Sequence, residues 1–216
     1  MSVLLTDFFQ SVRRTLLDPE PAQTWSDTDL TGFTNRILAQ AANLKRDIAP
    51  AIVPVPLVAG TVQQLPPNGL AVMNIYYNVA SGQVCRQGGL ELMNAKFPTW
   101  RAGAAGPDVF TWMTDERSPR FFHVNPPNDG TGQVVVLMGT VPSISMVPSA
   151  GGVMPLPDEY QWAIHEGVVA MAYAANSRRQ DITKATAHYQ MFTMALTGSK
   201  MAQSEVAAAL GQGEEK

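Results

Sequence analysis

Apolar side chains recur with a helical period at both ends of this chain and lose that period in the middle. Near the N-terminus five apolar residues share one helix face: Leu5, Phe8, Phe9, Val12 and Leu16. Their spacing predicts an amphipathic helix over residues 3–17. Residues 51–156 instead hold 12 of the 16 prolines and 12 of the 17 glycines, which favours strands and turns there.

A second helix is predicted soon after the first. Ser26 can cap its start, and Asp29 follows three residues later, as in a capping box. One apolar stripe then runs over about five turns and consists of Leu30, Phe33, Ile37, Ala41, Leu44 and Ile48. Pro50 closes the segment. A single stripe of this kind packs against other helices.

Two more helices are predicted after the middle segment. Residues 156–160, Leu-Pro-Asp-Glu-Tyr, open the first of them with acidic side chains that suit the helix dipole. Its predicted inner face is rich in small residues, which permits close helix packing: Tyr160, Ala163, Ile164, Gly167, Ala170, Met171 and Ala174. Asp181 can cap the last helix and Gly198 can end it.

The middle segment predicts short strands. Residues 53–57 are extended and edge-like, because prolines cannot donate to a β-ladder. Residues 70–79 are rich in β-formers, and residues 84–87 can return beside them as a hairpin. Further strands are predicted at residues 109–113, 120–125 and 134–138, with a polar loop at 126–132.

These elements predict an α+β protein. Its terminal helices would form a four-helix-type bundle, with an antiparallel β-sandwich or barrel module inserted between them. The predicted bundle takes residues 1–50 and 157–198, the β module residues 51–156, and a C-terminal extension residues 199–216.

Charge is low and evenly spread. Lysine, arginine, aspartate and glutamate make up 15% of the chain, and the formal net charge is −3. No segment carries the basic stripe that tight nucleic-acid binding needs; the pairs Arg13–Arg14 and Arg178–Arg179 are best explained by solvated helix faces. Much neutral surface favours assembly with other chains over a monomer. No apolar run approaches the ~20 residues of a membrane span.

No catalytic constellation is found, and the sequence predicts a non-enzyme without metal or cofactor. His165-Glu166 could open a zinc-binding helix motif, but Val169 stands where its second histidine is required. His123 and the Asp115-Glu116 pair are read as structural and solvated groups. Cys85 is the single cysteine and is expected to be a buried thiol.

An ordered series of motifs resembles the head-to-tail adaptor proteins of tailed phages, also called tail tubular protein A-like or head-completion adaptors. The motifs are Thr-Trp-Ser-Asp-Thr-Asp-Leu at 24–30, Ala-Gly-Thr-Val-Gln-Gln-Leu-Pro at 59–66, Phe-Pro-Thr-Trp at 97–100, Ser-Pro-Arg-Phe-Phe-His-Val-Asn-Pro-Pro at 118–127 and Leu-Pro-Asp-Glu-Tyr at 156–160. The resemblance covers roughly residues 5–196.

The resemblance implies a structural protein of the virion, made in the host cytoplasm and placed at the head–tail junction. Such adaptors form a homo-oligomeric ring, commonly a dodecamer, between the portal protein and the tail tube or nozzle. The ring seals the filled head, and genomic DNA passes through its lumen without tight binding. Portal contact would fall to the C-terminal extension, at Lys200, Met201, Val206, Leu210, Glu214, Glu215 and Lys216.

Two alternatives remain open from the sequence. One is another virion part, such as a stopper or a tail-tube component, which would bind tail proteins without portal contact. The other is a ligand-binding module or enzyme whose site is assembled from scattered residues, with His123, Asp115 and Glu116 as its first candidates.

Overall fold

The computed structural model describes residues 3–18, 24–145, 152–175 and 177–198. Over these residues the protein is mixed α+β, with five α-helices and two β-sheets, neither of which closes into a barrel. The α+β prediction is therefore confirmed, and its barrel alternative is wrong. Two compact units divide the chain: the helical unit takes the described residues of Met1–Lys45 and Pro142–Lys216, and the sheet unit takes Arg46–Val141.

The elements follow one another in a simple order. The helices are α1 (Leu5–Thr15), α2 (Asp27–Leu44), α3 (Leu90–Lys96), α4 (Gln161–Ala174) and α5 (Ile182–Thr197). The strands are β1 (Pro50–Pro56), β2 (Gly60–Gln64), β3 (Gly69–Asn78), β4 (Arg86–Gln87), β5 (Thr111–Thr114), β6 (Phe121–Asn128) and β7 (Gln133–Thr140).

Helix α4 is the centre of the helical unit and packs against α1, α2 and α5. Gly167 makes the closest of these contacts possible. A Cβ at this position would lie 2.7 Å from Ile37 Cγ2 on α2 and 3.0 Å from Phe192 Cδ2 on α5. The prediction that small residues on α4 permit close packing is confirmed at this position.

The predicted helix ends are largely confirmed. Ser26 and Asp29 form a reciprocal capping box, in which Asp29 N donates to Ser26 Oγ and Ser26 N donates to Asp29 Oδ2. Asp181 accepts from Lys184 N and caps α5, which Gly198 ends in a left-handed conformation. Helix α2 ends earlier than predicted, at Leu44 rather than near Ile48.

A buried arginine ties the end of α1 to the start of α2. Arg13 is 3% exposed, donates to the Trp25 carbonyl at 2.8 Å, and pairs with Asp27. Asp18 accepts from Trp25 N at 3.1 Å. Arg179 donates to the carbonyls of Leu16 and Leu17, just after α1. The expectation of solvated faces is therefore wrong for Arg13 and Arg179, whereas Arg14 and Arg178 are exposed. Arg13 and Arg179 stabilise the fold because their charged N–H groups donate to carbonyl and carboxylate groups of the same unit.

The sheet unit contains two open sheets, with strand orders β1-β7-β3 and β2-β6-β5-β4. All pairings are antiparallel except β4–β5, which is parallel. The predicted hairpin partner of β3 is therefore only partly realised. Val84 forms one bridge to Tyr77, while β4 itself pairs with β5. One apolar core fills the unit and includes Val55, Leu65, Ile75, Val109, Trp112, Phe122, Val124, Val134, Val136 and Met138.

Strand β1 confirms the predicted edge and explains its prolines. Leu57 N donates to Gly132 O just past the strand, and Thr140 N donates to Ala49 O just before it. Because antiparallel bonding alternates, odd-numbered residues of β1 bond to β7 and even-numbered residues face away. Pro50, Pro54 and Pro56 all occupy the outward positions. Their missing N–H groups remove no bond from the ladder.

Candidate interaction surfaces

The predicted portal-contact residues lie outside the described residues. They are Lys200, Met201, Val206, Leu210, Glu214, Glu215 and Lys216. Their assignment to portal contact stays a prediction.

The histidine named in the enzyme alternative is held in the sheet unit by an aromatic neighbour. Trp100 meets the His123 ring edge-on, with centroids 6.3 Å apart. Burial lowers the pKa of His123, the nearby Arg101 charge lowers it further, and Asp115 opposes both. The ring is thus neutral at pH 7. Its buried Nδ1 has no hydrogen-bond partner among the described residues, so the structure gives it no orienting group for base catalysis.

The other two candidates of the enzyme alternative belong to an exposed turn. Asp115 Oδ1 accepts from Arg117 N at 2.9 Å, and Asp115 O accepts from Ser118 N at 3.0 Å. Glu116 follows on the surface of the same turn. These bonds shape the connection between β5 and β6, which is the usual role of an aspartate at the start of a turn.

Cys85 is buried, as predicted. Its Sγ donates to Val109 O at 3.3 Å and accepts from Asn78 Nδ2 at 3.5 Å. Burial raises the pKa of this thiol to about 11, and the Asp108 charge adds to the effect. A thiol of this kind carries little thiolate at neutral pH and is a poor nucleophile.

Within residues 3–18, 24–145, 152–175 and 177–198, no three histidine, cysteine or acidic side chains are arranged to hold a metal ion. The described residues also form one groove in the helical unit and two in the sheet unit, and the largely charged or polar one of the latter pair lies beside the Asp115 turn.

The first groove lies between α1 and α4 and has a volume of about 360 Å³. We call it the α1–α4 groove; it is lined by Val3, Asp7, Phe8, Ser11, Thr15, Gln161, Trp162, His165 and Glu166. Trp162 is 56% exposed, although the helix around it is mostly buried. An exposed tryptophan beside a groove is a typical anchor for a protein partner.

A row of hydrogen-bonded polar side chains, here called the polar line, forms one wall of this groove. Glu166 is buried, and its carboxylate accepts from His188 Nδ1 at 2.6 Å and from His165 Nδ1 at 3.1 Å. His165 Nε2 lies 3.1 Å from Thr15 Oγ1. The line therefore connects α5, α4 and α1. Sequence reasoning missed it, because the four polar residues match no motif spacing.

The second groove lies at the end of the sheet unit and has a volume of about 550 Å³. We call it the β1–β2 groove; it is lined by Val55, Pro56, Val58, Val62, Gln63, Gln64, Leu65, Pro66 and Phe121. None of these nine side chains carries a charge. Val58, Val62 and Phe121 are partly exposed, so the groove offers apolar surface to solvent.

A comparison with curated proteins finds no match. The family model described as SU10 adaptor protein matches residues 4–213, nearly the whole chain. The chain belongs to the SU10 adaptor protein family. It is therefore a phage adaptor-type protein, which agrees with the coarse form of the resemblance seen in the sequence.

Membership of the SU10 adaptor protein family is consistent with a structural role in the virion, rather than with the ligand-binding or enzyme alternative. The family is one of structural phage adaptors, and adaptors act by contacting other virion proteins. Among the described residues, no helix combines the length and apolar character needed to cross a bilayer.

Proposed function

We propose that this SU10 adaptor family member forms a ring between the portal and the tail of a phage virion. The ring seals the filled head and leaves a central passage for DNA. The family match over residues 4–213 carries the proposal. The finer resemblance to tail tubular protein A-like adaptors rests on the motif series at 24–30, 59–66, 97–100, 118–127 and 156–160.

Ring formation requires two different faces on each subunit. A cyclic ring uses head-to-tail contacts, in which one surface of a subunit meets a second surface of the next. The helical unit offers the exposed Trp162, and the sheet unit offers exposed apolar side chains on α3 and after it, Leu92 and Phe97. Neutral surface of this kind supports assembly because little charge must lose water on contact.

Passage of DNA requires a wall that does not hold phosphate. The formal net charge of −3 is spread over the chain, and Arg13 and Arg179 are used inside the helical unit. A lumen built from such a chain would lack strong phosphate contacts, so a polyanion could slide through it.

The test is reconstitution with the portal protein of the same phage. We expect mass photometry of the mixture to show one complex, and electron microscopy to show a closed ring of this chain on the portal face. A matched mixture with the tail nozzle tests the opposite face. A chain that binds the nozzle and ignores the portal would assign it to another tail component, and a chain that binds neither would refute the adaptor role.

The C-terminal extension is tested separately. We propose that residues 200–216 contact the portal, so a chain that ends at Gly198 should bind portal more weakly. Val206→Asp and Leu210→Asp in the full chain should have the same effect, with Gln203→Ala as the control. Undiminished binding by the shortened chain would remove this assignment while leaving the ring proposal intact.

A further inference from the structure

We propose that the β1–β2 groove binds a short extended segment of a partner protein, which adds as a strand to the free edge of β2. The segment would be uncharged, with apolar side chains at alternate positions. This inference goes beyond the ring and portal contacts proposed above, because it names a peptide-binding site within the sheet unit.

The direction of the hydrogen bonds on β2 shows which groups are free. Leu65 N donates to Arg120 O at 3.0 Å, directly after the strand, and the register pairs Gln63 with Phe122. Antiparallel pairs alternate between bonded and non-bonded residues. Gln63 therefore bonds to β6, and the N–H and C=O groups of Val62 and Gln64 point away from it.

That outer edge is unpaired and borders the groove. Strand β2 is the terminal strand of its sheet, and no strand in the described part of the chain pairs with its outer side. Val62 and Gln64 both line the β1–β2 groove. An added strand could thus bond to alternate residues of β2, which is the general mode of recognition by strand addition.

Strand β1, on the other side of the groove, is a much poorer template. Three of its four outward positions are Pro50, Pro54 and Pro56, which have no N–H to donate. Ile52 alone keeps an outward N–H on this strand. The N–H donors available to a strand that enters the groove therefore lie on β2. The prolines of β1 determine this choice between the two edges.

The groove fixes the chemistry of the bound side chains. All nine lining residues are uncharged, and most of them are apolar. A charged side chain placed there would lose water without gaining a partner of opposite charge. Because side chains alternate along a strand, every second residue of the partner would enter the groove.

A buried glutamine holds the free edge in shape before any partner binds. Gln63 is 2% exposed; its amide accepts from Val58 N at 2.7 Å and donates to Val58 O at 2.7 Å and to Gly60 O at 3.0 Å. These hydrogen bonds hold the connection from β1 to β2 at Val58 and at Gly60. A preformed edge lowers the ordering cost of binding.

The proposal can be tested by titrating the ¹⁵N-labelled full chain with a blocked peptide, acetyl-Thr-Val-Thr-Val-Thr-amide. We expect saturable shifts of the Val62 and Gln64 amide signals and slower hydrogen exchange at both. A second peptide with aspartate in place of valine is the charged control, and it should bind at least roughly tenfold more weakly.

Two matched proline substitutions identify the edge. Val62→Pro removes an outward N–H from β2, and Ile52→Pro removes the equivalent group from β1; the side chains are 50% and 61% exposed. Neither N–H bonds within its own sheet, so both variants should keep their thermal midpoints. We expect Val62→Pro to weaken peptide binding roughly five- to tenfold and Ile52→Pro to leave it unchanged.

A second pair of variants covers the case in which Val62→Pro fails to fold. Phe121→Glu places a charge in the groove, whereas Phe110→Glu places one at a similarly exposed site outside it. Only the first should abolish binding. Absence of peptide binding, equal loss in Phe110→Glu, or loss in Ile52→Pro would each overturn the proposal. So would self-association of the chain that Phe121→Glu abolishes, since the occupant would then be a second copy.

Discussion

His188 Nδ1 lies 2.6 Å from Glu166 Oε2, and this contact joins α5 to α4 through a buried carboxylate. The other carboxylate oxygen accepts from His165, whose far nitrogen meets Thr15 on α1. The Tyr173 ring stacks on His188, with centroids 5.8 Å apart. A single acidic side chain thus orients two imidazoles and connects three helices.

Glu166→Gln should destabilise the helical unit. An amide offers one acceptor oxygen and one donor nitrogen, so it cannot accept from both imidazole N–H groups. We expect the free energy of unfolding to fall by about 1–3 kcal/mol, measured by denaturant titration at pH 7. Glu159→Gln, at an exposed position, is the control and should shift stability by less than about 0.5 kcal/mol. Equal effects of the two substitutions would contradict the bridging role.

Gly167→Ala and Gly32→Ala should change stability in opposite directions. The new methyl group at 167 would meet Ile37 and Phe192 at 2.7–3.0 Å, and we expect a loss of about 1–3 kcal/mol. Nothing lies within 4 Å of a Cβ at Gly32, in the interior of α2, so alanine there should add about 0.5–1 kcal/mol. Thermal unfolding of both variants checks the sign, and a stabilised Gly167→Ala would refute the close packing of α4.

Cys85 should make the sheet unit less stable at alkaline pH. Burial raises the pKa of the folded thiol to about 11, whereas the unfolded thiol ionises near its ordinary value of 9.0. The unfolded chain therefore loses the Cys85 proton at a lower pH than the folded chain does. The stabilising contribution of the buried, protonated thiol is complete below pH 9 and is lost as pH rises towards 11.

The comparison of wild type with Cys85→Ala isolates this effect. Denaturant midpoints measured from pH 7 to pH 10.5 should fall more steeply for wild type, because other titrating groups are common to both chains. Parallel pH profiles would contradict the assignment. The same burial predicts that the native thiol reacts with a disulfide reagent only after unfolding.

Trp162→Ala should weaken assembly on the portal more than it weakens the fold. The side chain is 56% exposed, so its removal costs the isolated subunit little. A buried aromatic anchor in an interface is commonly worth about 2 kcal/mol or more. Ile182→Ala, at 59% exposure in the same unit, is the matched control. Unchanged ring yield in electron micrographs of Trp162→Ala would exclude this residue from the subunit contacts.

Double-stranded DNA should not be retained by the chain near physiological salt. The chain has 15 basic and 18 acidic side chains, and its arginine pairs are partly used in internal bonds. We expect no mobility shift of a DNA duplex at micromolar protein and about 150 mM salt. Saturable binding under these conditions would contradict a freely sliding passage.

Local signals in the sequence predicted the elements that carry a cap or a strong period. Ser26 and Asp29 marked the start of α2 because the capping box is formed by residues three apart. Helix α3 was not predicted; it is only seven residues long and none of its residues is buried, so its hydrophobic pattern is short and weak. Strand β2 was also missed: Gly60 resembled a turn, and the polar Gln63 is buried only because its amide bonds to the loop backbone.

Candidate surfaces were harder to predict than elements, because they combine distant segments. The β1–β2 groove brings Phe121 beside residues 55–66, and the direction of its free N–H groups depends on register. Register is a property of paired strands, so the sequence of one strand does not reveal it. Trp162 is not among the residues of the predicted inner face of α4, but only the packed structure shows that it is exposed.

The outward prolines of β1 also affect the protein before it reaches a virion. A bare strand edge can let identical copies of a chain stack into open-ended fibres. With Pro50, Pro54 and Pro56 on that edge, one copy cannot extend the sheet of another there. The three prolines along these seven residues thus limit strand-to-strand self-association at the β1 edge.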